Sequence, residues 1–284
     1  MRIGVLMRVR NAAATLPTVL AGLAAQTRRP ERILAIDNGS SDGSADLLKT
    51  AGAEIAVWDQ PYDAPAVLNH GCGLLADCDL ILFISAHTVI DDADGIARLE
   101  ACFADPAVSA ASVAWDDDPF WGARVDTATL RALKFGSPYS NSLGMVRQAA
   151  VARRPFRHFA GRDIMEDYVW ALEEILTGHA VMRLPIRFRY LRKGGSREVD
   201  HTRLVFALAT RCGRHVVWRG ARSALQRWLR LRLLGGDAQE RILLGERIRG
   251  WWTWRSLPGW DTEPLDLVPD GGPGKVGAPG PAAR

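Results

Sequence analysis

Short apolar runs alternate with amphipathic stretches along the N-terminal part of the chain. Strands are predicted at Ile3–Val9, Arg32–Ile36, Glu54–Trp58 and Leu80–Ile84, with helices between them over about 16–25, 44–50 and 66–75. Runs such as Ile33-Leu34-Ala35-Ile36 have the length and branched composition of a strand covered on both faces. Strands that alternate with helices build βαβ units, so the pattern predicts an α/β protein with a mainly parallel sheet between two helical layers. Further on it predicts a helix over about 94–103, a strand near Val108–Trp115 and a long irregular or antiparallel segment over 116–139. A helix over Asp163–Thr177 closed by Gly178 and a strand at Val181–Leu184 follow. Arg187–Arg197, broken by Gly194-Gly195, reads as a mobile loop. The chain then turns helical and rich in Arg and Trp to about Trp254, and residues 270–284, mostly Gly, Pro and Ala, read as disordered. The expected division is 1–200, 201–260 and 261–284.

Composition narrows the class. At 284 residues, 48% hydrophobic and 24% charged, the chain has the make-up of a soluble globular protein with a full core. The cysteines Cys72, Cys78, Cys102 and Cys212 form no CxxC pair, which points to a reducing compartment. No apolar run approaches the roughly 18 residues of a membrane span, so the chain is not expected to cross a bilayer. Residues 12–25 imitate a signal-peptide core, but Arg8, Arg10, Asn11 and Pro17 fit strand, loop and helix better. Residues 1–200 carry 22 Lys+Arg against 25 Asp+Glu, whereas residues 201–284 carry 14 against 7, so the two parts differ in surface.

Three stations carry candidate chemistry. Asp37 ends the second strand in the turn Asp37-Asn38-Gly39-Ser40-Ser41-Asp42-Gly43-Ser44, where a carboxylate could accept hydrogen bonds from a nucleobase or ribose. The same cluster also reads as an ordinary Asx-rich turn with Asp42 or Ser44 capping a helix. Ser85-Ala86-His87 follows the fourth strand, and Glu166-Asp167 opens a helix, where acids also suit the helix dipole.

The order and spacing of these stations resemble the family 2 glycosyltransferases with a GT-A fold, a Rossmann-like mixed sheet with helices on both faces. The resemblance covers roughly Ile3 to Leu184. It rests on Val9-Arg10-Asn11-Ala12-Ala13-Ala14-Thr15-Leu16, Gln26-Thr27, the Asp37 turn, Asn69-His70-Gly71, Ser85-Ala86-His87 and Glu166-Asp167-Tyr168-Val169-Trp170. It implies that Asp37 binds the base or ribose of a nucleoside-diphosphate sugar, that Val9, Arg10 and Asn11 close over the nucleotide, and that Asn69, at a helix head, orders that site. Asp167 would be the catalytic base of an inverting transfer, with Glu166 beside it. Trp170 would line the acceptor site or fill core, and Asn141, in a loop spanning Asn141–Arg147, would border the acceptor.

Two positions depart from the family pattern. Ser85-Ala86-His87 stands where the family usually has Asp-x-Asp, whose carboxylates hold Mg²⁺ or Mn²⁺. Here Ser85 and His87 would face the diphosphate, with His87 the one candidate ligand for a divalent metal, better suited to Mn²⁺ than Mg²⁺. Without a metal, Arg192, Lys193 or Arg197 could supply the positive charge. Asn11-Ala12 also replaces the common Asn-Glu.

Residues 201–255 hold 12 Arg, and Trp218, Ala221, Leu225, Trp228 and Leu229 share one helical face opposite Arg219, Arg227 and Arg230. That is the pattern of a helix on an anionic membrane surface or, alternatively, of one packed on the catalytic domain with a solvated Arg face. No nucleic-acid-binding module is recognisable. The expectation is a cytoplasmic enzyme, peripheral on the inner face of the plasma membrane, that transfers a hexose or deoxyhexose to a glycan or lipid-linked acceptor. The competing class is a degenerate nucleotide- or glycan-binding scaffold of the same fold. A nucleotidyltransferase would want a Gly-rich phosphate loop that residues 8–16 lack.

Overall fold

The computed structural model describes residues 1–114, 121–132, 138–157, 166–191, 222, 225–233, 235 and 238–253. Its strands are β1 (Ile3–Val9), β2 (Arg32–Asp37), β3 (Glu54–Val57), β4 (Leu80–Ser85), β5 (Thr88–Ile90), β6 (Val108–Val113), β7 (Arg124–Val125), β8 (Leu143–Arg147), β9 (Ala180–Leu184) and β10 (Phe188–Tyr190). Among the described residues, eight of them form one mixed sheet in the order β3-β2-β1-β4-β8-β6-β9-β7, while β5 and β10 pair separately. The first four neighbours run parallel. β8 lies antiparallel between β4 and β6, and β9 is again parallel to β6. The carboxyl ends of β1 to β4, β6 and β9 therefore share one edge of the sheet.

The helices are α1 (Leu16–Ala24), α2 (Ser44–Thr50), α3 (Ala64–Leu74), α4 (Gly95–Ala101), α5 (Thr127–Ala132), α6 (Gln148–Arg153) and α7 (Glu166–Leu176), followed by Ala238–Thr253. Alternating side chains of each strand feed two cores. Ile3, Val5, Met7 and Val9 of β1 pack with Leu16, Val19 and Leu23 of α1 and Ile96 and Leu99 of α4. Leu6 packs on the opposite face with Val67 and Leu68 of α3 and Trp170, Ala171 and Ile175 of α7. The strands are apolar throughout because both of their faces are covered.

Two expectations change. Asn141–Arg147 is not a loop: Leu143–Arg147 is a central strand, with Leu143, Met145 and Val146 fully buried. Gly144 interrupts its apolar run for a steric reason, since a Cβ there would lie 2.6 Å from the Ser140 carbonyl oxygen. The start of the expected mobile loop is β10, whose Tyr190 pairs with Thr88. Arg192, Lys193 and Arg197 lie outside the described residues, as do Trp218, Arg219, Ala221 and the tail from 254 onward.

Candidate active site

Two groups of polar side chains meet at the carboxyl edge of the sheet, one toward each face. The first laces the β1–α1 loop to the β2–α2 loop. Asp37, only 6% exposed, accepts hydrogen bonds from the Ser40 hydroxyl and, at 3.3 Å, from the Ser40 amide. Ser40 Oγ accepts the Asn11 amide at 2.9 Å, and Asn11 Oδ1 accepts the Ser41 amide at 2.9 Å. Asn11 has φ 49°, the only non-glycine in the left-handed region among the described residues, and asparagine tolerates that conformation better than most. Asp42 accepts the Ala13 amide at 2.9 Å and the Ser44 amide at 3.1 Å, while Ser44 Oγ accepts the Ala12 amide at 2.8 Å. The Ser44 hydroxyl and the Ala13 amide hold the Asp42 carboxyl below its ordinary range. Gly43, at φ 85°, occupies the N-cap position of α2, so Asp42 and Ser44 tie two loops together instead of capping the helix.

Val9 is buried in the first core, and its carbonyl accepts the Asn38 amide at 2.9 Å, so it shapes this wall without presenting a side chain. Arg10 is exposed beside it.

The second group surrounds the start of α7. Glu166 is 7% exposed and meets Arg8 of β1, with Oε1 to NH1 at 3.4 Å; the same NH1 donates to the Tyr62 hydroxyl at 2.9 Å. Burial, with the charge of Asp167 adding to it, pushes the Glu166 carboxyl up to about 7 against the pull of Arg8. Asp167 is more exposed. Its Oδ2 accepts the Asn141 amide at 2.9 Å and its Oδ1 the Tyr168 amide at 2.8 Å. The next residue, Ser142, accepts the Ser85 amide at 3.0 Å, so the lead-in to β8 ties the acid pair to the end of β4. The side-chain amide of Asn141 is buried and unpaired.

Ser85 and His87 separate. The His87 amide donates to Ser85 Oγ at 3.3 Å, and the ring turns to Thr15, with Nδ1 3.1 Å from its hydroxyl. That hydroxyl also donates to the Ala86 carbonyl at 2.7 Å. A hard divalent cation wants several oxygen ligands including carboxylates. Here the Asp-x-Asp position offers one hydroxyl and one imidazole. The carboxylates at this edge are engaged, Asp37 with Ser40, Glu166 with Arg8 and Asp167 with backbone amides. Among the described residues no three His, Cys, Asp or Glu side chains converge. Among the described residues these donors do not make a divalent-metal site, and the His87 ring meets Thr15.

Two further site residues have structural tasks. Asn69 lies in the middle of α3, not at its head, and its amide forms a two-way clamp on the Phe156 backbone at 2.8 and 2.9 Å. Trp170 is 1% exposed between Tyr139 and Phe156, and its indole donates to the Arg154 carbonyl at 2.8 Å, so it fills core and lines no acceptor site. Sequence reasoning missed Arg8, Tyr62 and the fully buried Glu174, which pairs with Arg153 at 2.6 Å and Arg154 at 2.9 Å and anchors α7. The available signal for Arg8 was a cation inside an otherwise apolar strand.

A mixed sheet with helices on both faces, a laced double loop at its carboxyl edge and an acidic pair opening a helix define a GT-A-type α/β protein. The glycosyl transferase family 2 model matches residues 5–164, more than half of the chain, and the chain belongs to that family. It is similar to the O-antigen chain rhamnosyltransferase of Salmonella typhimurium, with 26% identity over 113 residues, 39% of this chain and 36% of that protein, so the match spans little more than a third of that relative's length. Among solved structures, a mannosyltransferase from Pyrobaculum calidifontis in complex with GDP-Man and Mn²⁺ shares the fold with TM-score 0.60 and 15% identity, covering 92% of this chain and 88% of that one. Glucosyl-3-phosphoglycerate synthase from Mycobacterium tuberculosis, in complex with Mn²⁺, UDP and glucosyl-3-phosphoglycerate, shares it at TM-score 0.54 and 15% identity, covering 72% and 77%.

Proposed function

We propose that this chain is an inverting glycosyltransferase that moves a hexose or deoxyhexose from a nucleoside-diphosphate sugar to a hydroxyl of a glycan or lipid-linked acceptor. The observation that carries this reading is Asp167, a partly exposed carboxylate held by the Asn141 amide at the same sheet edge as the Asp37–Asn11 wall. Asp37 and the β1–α1 loop receive the nucleoside. The acceptor oxygen attacks the anomeric carbon from the face opposite the diphosphate, the new C–O bond forms as the bond to the diphosphate breaks, and the leaving electron pair stays on the diphosphate. The acceptor proton passes to Asp167. Asn141, whose amide is buried and unpaired, borders the acceptor side. No step runs through a metal, because the donors at positions 85 and 87 make no seat for one.

The helical residues 225–233 expose Leu225, Leu229 and Leu233 among the exposed Arg227, Arg230 and Arg232. This supports peripheral docking on an anionic membrane surface, at the inner face of the plasma membrane in the cytoplasm. Among the described residues no helix is long and apolar enough to cross a membrane.

The test is a panel of UDP, GDP, dTDP and CDP sugars scored by thermal shift and by product formation. Asp167→Asn is expected to keep the ligand-induced shift and to lower turnover by about 10²- to 10⁴-fold. Near-normal turnover would remove Asp167 as base. The loss of Asp-x-Asp favours a non-catalytic scaffold as second reading, and a ligand shift without product for any acceptor would establish it.

A further inference from the structure

We propose that Arg8 is the resident cation of this site, pairing its guanidinium with the donor diphosphate in the role that a carboxylate-held divalent ion would otherwise fill. This rests on the nucleotide-sugar reading above. Arg8 and Ser85 are register partners on neighbouring parallel strands about 4.8 Å apart, so their side chains leave the sheet on the same face. Arg8 is 30% exposed and is held at one end only: NH1 reaches Tyr62 and Glu166, while among the described residues Nε and NH2 make no hydrogen bond. A guanidinium carries five N–H donors in a fork that matches phosphate oxygens, so most of its donors stand ready for a ligand. The contact with Glu166 is long, at 3.4 Å, and burial raises that carboxyl to about 7, so the pair is only partly ionised at neutral pH and a doubly charged anion can compete for the guanidinium.

Ser85 fits the same arrangement. A carboxylate at that position would lie beside the guanidinium and neutralise it, whereas a hydroxyl leaves the charge of Arg8 for the ligand. The loss of Asp-x-Asp and the arginine on the neighbouring strand are thus two halves of one arrangement. Electrostatic stabilisation of a leaving diphosphate needs a fixed positive charge, and an arginine rooted in a central strand is fixed before the donor arrives.

The test is calorimetric titration of the full chain with UDP, GDP, dTDP and CDP, and with the matching monophosphates, in EDTA and again with Mn²⁺ or Mg²⁺. The wild type is expected to bind one of the diphosphates in EDTA, with added metal changing its affinity by less than about 3-fold. Arg8→Ala should weaken that diphosphate by about 10- to 100-fold, the range for a lost charged hydrogen bond, while the monophosphate changes by less than about 3-fold. Arg8→Lys should fall between, and serves as the comparison if Arg8→Ala lowers the thermal midpoint. Diphosphate binding that requires metal, or that survives Arg8→Ala and Arg8→Lys unchanged, would overturn the inference and leave the glycosyltransferase reading intact. No binding of any nucleotide under any condition would overturn both.

Discussion

Glu166 is the residue at which burial, charge and chemistry meet. Its carboxyl is raised from 4.5 to about 7 by desolvation and by Asp167, against the opposing charge of Arg8. The folded chain therefore holds this proton more tightly than the unfolded chain does. The resulting stabilisation is complete below about pH 4.5 and is lost as pH rises through about 7. Glu166→Gln cannot ionise and lacks that loss. Thermal midpoints of both proteins at pH 4.5 and pH 8 check this: the wild type should lose ground to the variant across the interval, and parallel pH dependences would contradict the assignment. Asp37, Glu166 and Asp167 were legible in the sequence because each lies in a short motif next to its own strand or helix end. Arg8 was not, because its acidic partner lies 158 positions away, and only packing α7 against the sheet brings them together.

At the scale of elements, the segment 153–156 is where α3, α6 and α7 are locked together. Asn69 grips both backbone groups of Phe156, Trp170 bonds the Arg154 carbonyl, and Glu174 pairs with Arg153 and Arg154. These contacts hold the middle and the C-terminal half of α7, the helix that opens with Glu166 and Asp167. Asn69→Ala strands a backbone donor and an acceptor, and is expected to cost about 1–3 kcal/mol of stability by denaturant titration. Its nucleotide affinity should stay unchanged, since the amide is already occupied; a selective loss of nucleotide binding with full stability would return Asn69 to the ligand site. Strands β1 to β4 and helix α7 follow from apolar pattern and end signals. β8 escaped that reading because Gly144 breaks its run and Asn141 precedes it, both turn-forming types; close backbone packing explains Gly144, while the contact with Asp167 comes from the Asn141 backbone amide, which any residue but proline supplies. The two short strands β5 and β10 gave no periodic signal, being only three residues each.

Over the whole molecule, charge is divided: the N-terminal 200 residues are slightly acidic and the remainder is basic through arginine. Within it, residues 225–233 expose leucines together with arginines. Flotation with liposomes containing anionic phosphatidylserine or phosphatidylglycerol is expected to carry the full chain upward at low salt and to release it as salt rises. Failure to float at low salt would refute the membrane contact. The sequence by itself determined the α/β class, the sheet edge where the candidate site lies and the acidic pair, because strand–helix alternation and end signals are local properties of the chain. Tertiary structure alone decided that Asn69 and Trp170 support the core, that His87 turns to Thr15, and that Arg8 shares a face with Ser85 and meets Glu166. Those relations join residues far apart in sequence, and strand order, register and helix packing set the distances between them.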